Sequence, residues 1–497
     1  MSDPVHVNPR RWLALIFISL AQLMVALDAT VVNIALPSAQ HELGISDGNR
    51  QWVITAYTLA FGGLLLLGGR LADVAGRKRI FLIGLLGFAA ASTLGGLATN
   101  TGMLLAARSL QGVFAALLAP AALALLSVTF TEAKERARAY AAFGAISAAG
   151  GGVGLILGGV LTEYLDWRWS LYINIPFALG AAIGAILTVR DTIGSRNRNR
   201  LDIPGAVLAT TGLIALVYGF TRAEADGWTA GWTLGSFLTA AIALLAFVFV
   251  EARVPNPLLP LRVLTERTRA GVYLSIGLSI IGMFGLFLFL TYYLQVVQAW
   301  SPVRTGLGFL PMIAAMIIGP TVIGTWLSRR VPPQILMGGS FLTAAVGLLL
   351  LTQMEVDSSY PALILPSQIL LGLGTGTAFL PAMSLATHGL RPHDAGIASA
   401  MINTSQQVGA SIGTALLNTI AASATATWLL DHAGDPGTAD QAIVHGYATA
   451  IWWAVAILIL AALVAIALVR VRPSDSTAPA DGAGGDPADG VTPLLVH

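Results

Sequence analysis

Fourteen stretches of about 20 mostly apolar residues recur along the 497-residue chain. A helix needs that length to cross the hydrocarbon core of a bilayer. Barrel strands are excluded because they alternate in units of about 10 residues, whereas a helix satisfies its own backbone polar groups. The sequence therefore predicts an all-α membrane protein with fourteen transmembrane helices, here called spans. Their approximate limits are 12–36, 50–69, 79–98, 102–127, 137–162, 168–189, 202–221, 231–250, 268–298, 302–327, 333–352, 360–386, 394–424 and 444–470.

The composition excludes several other classes of protein. Hydrophobic residues make up 56% of the chain and charged residues 10%, which is too few charges to cover a water-facing surface. A soluble multidomain enzyme and a disordered chain are therefore excluded, and a formal net charge of +2 provides no broad basic surface for nucleic acid. The chain has no cysteine, and its seven histidines lack the spacing of metal ligands. We expect neither a metal nor a cofactor.

The distribution of basic residues predicts the orientation of the chain. Of the 27 arginine and lysine residues, 22 lie in segments on the same side as the N-terminus, and four lie in the alternate loops. The remaining one, Arg108, lies within a span. Because basic residues are enriched in cytoplasmic loops, we expect a multi-pass protein of the cell membrane with both termini in the cytoplasm. The segment 425–443 is expected to be the longest outside loop, with room for a short helix.

A weak internal repeat indicates how the spans are grouped. The pattern Gly-x-x-Leu at residues 68–71 recurs at residues 324–327, and residues 108–120 of span 4 align with residues 368–381 of span 12. We therefore predict two six-helix bundles around a central cavity, with an inserted helix pair between them, the architecture of alternating-access transporters. The predicted divisions are a cytoplasmic N-terminus at 1–11, the first bundle at 12–189, the inserted pair with flanking cytoplasmic linkers at 190–267, the second bundle at 268–470 and a disordered cytoplasmic tail at 471–497.

Two charged residues lie well inside predicted spans, Asp28 in span 1 and Arg108 in span 4. A charge at the bilayer centre costs about 2.5–3.5 kcal/mol on insertion scales, so such residues are rare and usually functional. Counting the helical rise from the span ends places both in the outer half of the membrane, where they could face each other across the cavity. We interpret Asp28 as a proton-binding site whose charge Arg108 or water stabilises. A static ion pair that only joins two helices is the alternative.

The loop after span 2 has the sequence GRLADVAGRKR at residues 69–79. It is a tight turn bounded by glycines, with a dense positive cluster. It resembles the loop signature of the major facilitator superfamily, and the resemblance implies a gating loop that holds the outward-open state. The matching residues are Gly69, Leu71, Asp73, Gly76, Arg77 and Lys78.

Three further segments narrow the resemblance. The segment LDATVVNIALP closes span 1 at residues 27–37, RSLQG lies in span 4 at residues 108–112, and WRWSLYINIP opens span 6 at residues 167–176. With the fourteen spans, they resemble the fourteen-span branch of drug–proton antiporters, which export quaternary ammonium compounds, dyes and antibiotics. The similarity covers about residues 10–470. It implies the major facilitator fold, with Asp28 taking part in proton coupling and Arg108 supporting it.

Span 5 departs from the antiporter pattern. It has Leu155 where that pattern has a proline, so a kink point is lost. This weakens the case for an exchange mechanism more than the case for the fold. The glycines of the pattern are kept, and close helix packing alone would also explain them. They are Gly150, Gly154, Gly158 and Gly159.

Polar and aromatic side chains on the spans that should surround the cavity are candidate substrate contacts. They are Tyr57, Gln111, Tyr292, Tyr293, Gln295, Gln298, Gln368, Asn403 and Gln407, with Phe284 and Phe287. Apolar walls with a few polar groups suit a lipophilic small molecule. Because no second acid lies at mid-membrane, we favour neutral or singly charged amphiphiles.

The sequence therefore predicts a proton-coupled antiporter that exports lipophilic small molecules, such as drugs, dyes or antibiotics, by alternating access. The chain lacks a nucleotide-binding loop of the GxxxxGK[ST] type, so an ion gradient must drive transport. The choice of protons over sodium rests on the resemblance.

The expected partners of this monomer are protons, substrate and membrane lipid, with no nucleic acid. Alternatives are a dedicated exporter of one metabolite, antibiotic or lipid-like compound, and a proton-coupled symporter of the same fold. An enzyme is not expected, because no catalytic cluster lies near the interface.

Overall fold

A computed structural model of the chain describes residues 10–130, 132–189, 202–254, 257, 259, 261, 265–328, 330–387, 392–432 and 438–470. Within these ranges the chain is helical and contains no strand. Thirteen helices are long and apolar enough to cross a membrane, and a fourteenth carries the shorter apolar stretch Trp52–Leu65. The predicted all-α membrane fold is therefore confirmed. The predicted tail at 471–497 and most of the linker after span 6 lie outside the described residues.

The first six helices form one bundle, in which α1 packs on α5 and α6 while α4 packs on α2 and α3. Their bounds are α1 Arg11–Leu43, α2 Trp52–Ala75, α3 Arg77–Gly96, α4 Thr101–Thr129, α5 Ala133–Tyr164 and α6 Asn174–Thr188. The short helix Trp169–Tyr172 leads into α6. The next two helices, α7 Ile203–Asp226 and α8 Gly231–Glu251, pack on each other as a pair.

The last six helices form a second bundle, in which α9 packs on α13 and α14 while α12 packs on α10 and α11. Their bounds are α9 Arg267–Tyr292, α10 Pro302–Leu327, α11 Pro333–Leu351, α12 Leu365–Thr387, α13 Pro392–Asp431 and α14 Thr438–Leu468. Short π-helical segments interrupt the regular winding: Tyr293–Val297 continues α9, Gly319–Gly324 lies within α10, and Tyr360–Ile364 precedes α12.

Two helices run further than the apolar pattern predicted. The pattern of span 1 stops at residue 36, before Pro37, but α1 continues through that proline to Leu43. Proline is tolerated in transmembrane helices because neighbouring groups satisfy the freed backbone. The expected outside loop at 425–443 is also largely helical, since α13 extends to Asp431 and α14 begins at Thr438. The small residues of that segment are compatible with a helix, and apolarity alone does not mark its end.

The two bundles repeat the same helix crossing, which supports the internal repeat. In the first bundle α4 is so close to α2 that a Cβ on Gly112 would lie 2.4 Å from the carbonyl oxygen of Tyr57. In the second, a Cβ on Gly372 of α12 would lie 2.3 Å from the carbonyl oxygen of Met312 on α10. Real Cβ atoms do not approach this closely, so both crossings require glycine.

Hydrogen bonds between the bundles cluster where α1 ends and α2 begins, and we call this region the closed end. There Tyr292 of α9 donates a hydrogen bond to Oε1 of Gln40 on α1. The guanidinium of Arg50, just before α2, lies 4.1 Å from the centroid of the Tyr292 ring and donates a 3.3 Å hydrogen bond to Oη of Tyr447 on α14. The opposite region, where α1 begins and α14 ends, is called the termini end. The basic-residue pattern predicts that it faces the cytoplasm.

Candidate functional site

Asp28 lies on the buried face of α1 and has no exposed surface. Its Oδ2 accepts a 2.6 Å hydrogen bond from Nη1 of Arg108 on α4. Its Oδ1 accepts two more, a 2.9 Å bond from Nε2 of Gln111 and a 2.7 Å bond from Nδ2 of Asn174 on α6. Three donors thus stabilise the ionised carboxylate within the first bundle.

Arg108 is the largest fully buried side chain of the described residues, with 1% of its surface exposed. Besides Asp28, its Nη1 donates a 2.8 Å hydrogen bond to Oε1 of Gln111, and its Nε donates a 3.0 Å hydrogen bond to the carbonyl oxygen of Val53 on α2. The guanidinium lies 4.5 Å from the centroid of the Tyr57 ring, a cation–π distance. Arg108 therefore keeps several partners that do not depend on Asp28.

Gln111 connects the two charges to the rest of the bundle. It lies one turn after Arg108 on α4, so both side chains share a face of the helix. Its amide accepts from Arg108, donates to Asp28 and donates a 2.8 Å hydrogen bond to Oγ of Ser92 on α3. The cluster of Asp28, Arg108, Gln111, Tyr57, Ser92 and Asn174 thus takes side chains from α1, α2, α3, α4 and α6.

The expected contact between Asp28 and Arg108 is present, but it is a direct bond within the first bundle and not a contact across the central cavity. Sequence analysis also singled out Gln111 and Tyr57, although as cavity residues. It missed Ser92 and Asn174. Asn174 lies in the segment WRWSLYINIP, so that segment contained a signal for it, whereas an isolated serine in an apolar helix gives none.

The other candidate cavity residues lie in three different places. Tyr292 and Gln295 belong to the closed end, where Nε2 of Gln295 donates a 3.1 Å hydrogen bond to the carbonyl oxygen of Ile34 on α1. Gln368 on α12 is fully buried, and neither its amide nitrogen nor its amide oxygen has a hydrogen-bond partner among the described residues. Asn403 and Gln407 lie half-buried on α13. Their contact with substrate stays a prediction.

The glycines of α5 lie at close helix contacts. A Cβ on Gly150 would lie 2.8 Å from Cβ of Ala26 on α1, and Gly154 and Gly158 face the next turns of that helix. Gly159 faces the start of α10 instead. Leu155, which replaces the proline of the antiporter pattern, is fully buried among side chains from both bundles.

The loop after α2 turns at Gly76, whose φ of +101° favours glycine over any residue with a side chain. Just beyond it, Nζ of Lys78 donates hydrogen bonds of 2.6 and 3.1 Å to the carbonyl oxygens of Val189 and Ile186 at the end of α6. These bonds satisfy carbonyl groups that a helix end leaves open. The side chain of Asp73 lies outside the described part of the chain, and gating by this loop stays a prediction.

Comparison with known proteins identifies the family to which the chain belongs. Residues 18–414 match the family profile described as Major Facilitator Superfamily. The chain is 52% identical over 474 residues to the puromycin resistance protein pur8 of Streptomyces alboniger, covering 95% of this chain and 94% of that protein. It is 38% identical over 430 residues to the cephamycin export protein CmcT of Amycolatopsis lactamdurans, covering 85% of this chain and 88% of the relative.

Solved structures show the same fold. A bacterial homolog of the human lysosomal transporter Spinster, in an inward-facing and unoccupied conformation, superposes with a TM-score of 0.67 at 15% identity. The superposition covers 94% of this chain and 98% of that one. The chain therefore belongs to the Major Facilitator Superfamily, and it is a membrane transporter and not an enzyme.

Proposed function

We propose that this transporter is a proton-coupled antiporter that exports lipophilic small molecules, such as drugs, dyes or antibiotics, by alternating access. The observation that carries the proposal is the fully buried ion pair of Asp28 and Arg108, a titratable carboxylate inside the first bundle. Relatives named for antibiotic resistance and export support the choice of substrate class. The protein works in the cell membrane with both termini in the cytoplasm.

Proton loading is tied to helix movement because both oxygens of Asp28 are occupied. A proton needs an oxygen that has lost its donors, and those donors come from α4 and α6. When α1 moves away from them, the carboxylate loses its stabilisation and takes up a proton. Arg108 stays in place during this step, because Val53, Gln111 and the Tyr57 ring hold it independently of Asp28.

Gln368 is the second-bundle residue that we assign to the substrate. A buried amide without hydrogen-bond partners costs about 1–3 kcal/mol, and a polar group on the substrate would recover this free energy. Replacement by methionine, which is of similar shape, should therefore stabilise the empty protein and raise the KM for transport. A Gln368→Met variant that is less stable, or that transports with unchanged KM, would contradict this assignment.

Transport by proteoliposomes under an imposed pH gradient tests proton coupling. The purified protein should move puromycin against the proton flux, and Asp28→Asn should insert normally but lose proton-coupled transport. The double variant Asp28→Asn/Arg108→Gln separates coupling from a static ion pair, because it removes both buried charges and so restores much of the lost stability. Recovery of coupled transport in the double variant would show that the pair is only structural. Uptake of substrate with protons would indicate a symporter instead.

A dedicated exporter of one compound is the second candidate. It is favoured by relatives that are each named for a single antibiotic, puromycin and cephamycin. A panel of dyes, quaternary ammonium compounds and antibiotics, assayed in the same vesicles, separates the two. Transport of a single compound from the panel would support the specialised exporter, and transport of chemically unrelated compounds would support multidrug export.

A further inference from the structure

The two oxygens of the Asp28 carboxylate have chemically different neighbours. Oδ2 is bonded to Nη1 of Arg108, and a guanidinium donates hydrogen bonds but does not accept them. Oδ1 is bonded to the side-chain amides of Gln111 and Asn174. An amide can present either its NH₂ group or its oxygen, so a hydroxyl on Asp28 finds an acceptor only on the Oδ1 side. A proton taken up by Asp28 therefore belongs on Oδ1.

Gln111 cannot turn its amide over to accept that proton. Its Oε1 accepts a hydrogen bond from Arg108, and its Nε2 donates to Asp28 and to Oγ of Ser92. Turning the amide over would set its NH₂ group against the donors of the Arg108 guanidinium. Both ends of the amide are therefore committed, and Gln111 is fixed as a donor to Asp28.

Asn174, the first residue of α6, has one end of its amide uncommitted. The residue is fully buried, and its Nδ2 donates to Asp28, but its Oδ1 has no hydrogen-bond partner within the described part of the chain. An ionised carboxylate only accepts hydrogen bonds, so Nδ2 must face it in this state. Turning the amide over brings Oδ1 to Asp28 and breaks no hydrogen bond on its far side. Of the two amides, Asn174 is thus the one that can change from donor to acceptor.

We propose that Asn174 is the second group that holds the coupling proton, and that its amide turns over when Asp28 is protonated. An O–H bond forms at Oδ1 of Asp28, and this hydroxyl donates to Oδ1 of Asn174. It replaces the N–H that Asn174 donated before, and no other covalent bond forms or breaks. The turn removes the α6 donor, as proton uptake requires, and it keeps the protonated carboxyl bonded to α6. The inference rests on the proposed proton coupling and names the acceptor of the proton.

The other groups around Asp28 leave this exchange to the amide. Arg108 of α4 is the one charged side chain in contact with Asp28 among the residues that the structure describes. Tyr57 of α2 interacts with both charges, but its phenol is neutral at physiological pH. The short helix before α6 and the second bundle meet α1 nearer the closed end, where Glu42, about 21 Å from Asp28 along α1, pairs with Arg168. The remaining helices that pack on α1 present neutral residues to it, which are Gly154 and Gly158 of α5 and Asn174 of α6.

Infrared difference spectroscopy tests the turn of the amide in the unaltered chain. The protein is labelled with ¹³C in the side-chain carbonyl of asparagine, reconstituted into nanodiscs and taken from alkaline to acidic pH. A carboxylic-acid band that is absent from Asp28→Asn marks protonated Asp28. A labelled amide band should then shift to lower frequency, because the Asn174 carbonyl gains a hydrogen bond that it lacks in the ionised state. An amide band that stays in place or moves to higher frequency while Asp28 is protonated would overturn the proposal.

Asn33 of α1 provides a matched control for substitution at Asn174. It is also buried, and its Oδ1 likewise has no partner among the described residues, but its Nδ2 donates to the carbonyl oxygen of Ala29 and not to Asp28. Asn174→Leu should abolish the amide shift and move the carboxylic-acid band of Asp28 to higher frequency, because the hydroxyl loses its acceptor. Asn33→Leu should leave both bands unchanged. Equal effects of the two substitutions, or an amide shift that persists in Asn174→Leu, would contradict the assignment.

Transport by the same variants separates this role from the proposed function. Asn174→Leu should slow puromycin transport driven by a pH gradient by about tenfold, the effect of losing one hydrogen bond of about 1.4 kcal/mol. Exchange of puromycin without a pH gradient needs no net proton transfer and should keep its rate, and slowing of both processes alike would count against the proposal. If the unaltered protein shows no transport driven by a pH gradient, the proposed function is refuted, and the coupling role of Asn174 with it. If transport is coupled but the amide band does not shift, only the role of Asn174 is refuted.

Discussion

Replacement of Asp28 by asparagine leaves the Arg108 guanidinium, of which 1% is exposed, without an anion in the first bundle. The amide cannot take over the role of the carboxylate. Both carboxylate oxygens accept hydrogen bonds, whereas an amide has one accepting oxygen and one donating NH₂ group. Whichever way the substituted amide turns, its NH₂ group faces a donor, either Arg108 or the pair of Gln111 and Asn174. Removing one partner of a buried ion pair costs about 3–5 kcal/mol, and we expect Asp28→Asn to fall in this range.

A double-mutant cycle isolates the interaction between the two charges. Arg108→Gln alone should also lower the free energy of unfolding by about 3 kcal/mol, because it leaves the carboxylate buried with neutral donors. In the double variant two neutral amides replace the charges and can bond to each other. We therefore expect the double variant to be about 2–3 kcal/mol more stable than the sum of the single changes predicts.

The assay is reversible unfolding in mixed detergent micelles, followed by circular dichroism at neutral pH. Ser92→Ala is the matched control, because it removes a neutral hydrogen bond to Gln111 and leaves the ion pair intact. We expect it to cost about 1 kcal/mol. Two outcomes would refute the view that the two charges depend on each other. In the first, the free-energy changes of the two single variants add up to that of the double variant. In the second, Asp28→Asn is no less stable than Ser92→Ala.

Three further outcomes are expected. Gly68→Ala should destabilise the protein by about 1–3 kcal/mol, because a Cβ on Gly68 would lie 2.0 Å from the carbonyl oxygen of Ala116. The neighbouring change Gly69→Ala should not, because a Cβ there meets nothing closer than 3.5 Å. Equal melting temperatures of the two variants would contradict this expectation. Ala299, with φ at +52°, is strained, so Ala299→Gly should raise the unfolding free energy by up to about 1 kcal/mol; a lower melting temperature would count against it. Burial raises the pKa of Glu266, but hydrogen bonds from the backbone at the start of α9 outweigh it and lower the pKa. The stabilisation by Glu266 is therefore present above its unfolded-state pKa and lost as pH falls below about 4, and this loss should be absent from acid-unfolding curves of Glu266→Gln.

The fold was accessible from the sequence because the bilayer imposes simple rules on length and polarity. Fourteen apolar stretches and the charge alternation between them define fourteen helices before any contact is known. The ends of the helices were less accessible. Pro37 reads as a stop in the sequence, yet α1 continues past it, because backbone groups freed by proline find other partners in a packed bundle.

The charged residues of the site could be predicted from the sequence, because ionised groups are rare in apolar spans. Its neutral residues could not. Asp28 and Arg108 are conspicuous for this reason. Ser92 and Asn174 are not, because hydroxyl and amide groups are common in membrane helices and often bond to their own backbone. The position of Tyr292 shows a different limit. As a tyrosine on a helix of the second bundle, it suits a cavity wall. Its contacts at the closed end form only when that side of the transporter is shut. The same sequence encodes the inward-open and the outward-open state, so it does not reveal which contacts form.

The repeat gives the two bundles matching helix crossings, but it does not give them matching charges. Gln368 stands where the alignment of the two halves places Arg108, and its amide has no partner among the described residues. The equivalent crossings at Gly112 and Gly372 show that the difference is one of side chains and not of backbone geometry. A buried charge requires a partner, so the first bundle must carry both Asp28 and Arg108, whereas the neutral second bundle can leave a hydrogen-bonding group open. The proposed function assigns the proton to the first bundle and the substrate to the second, so that each is sensed through relative movement of the two bundles.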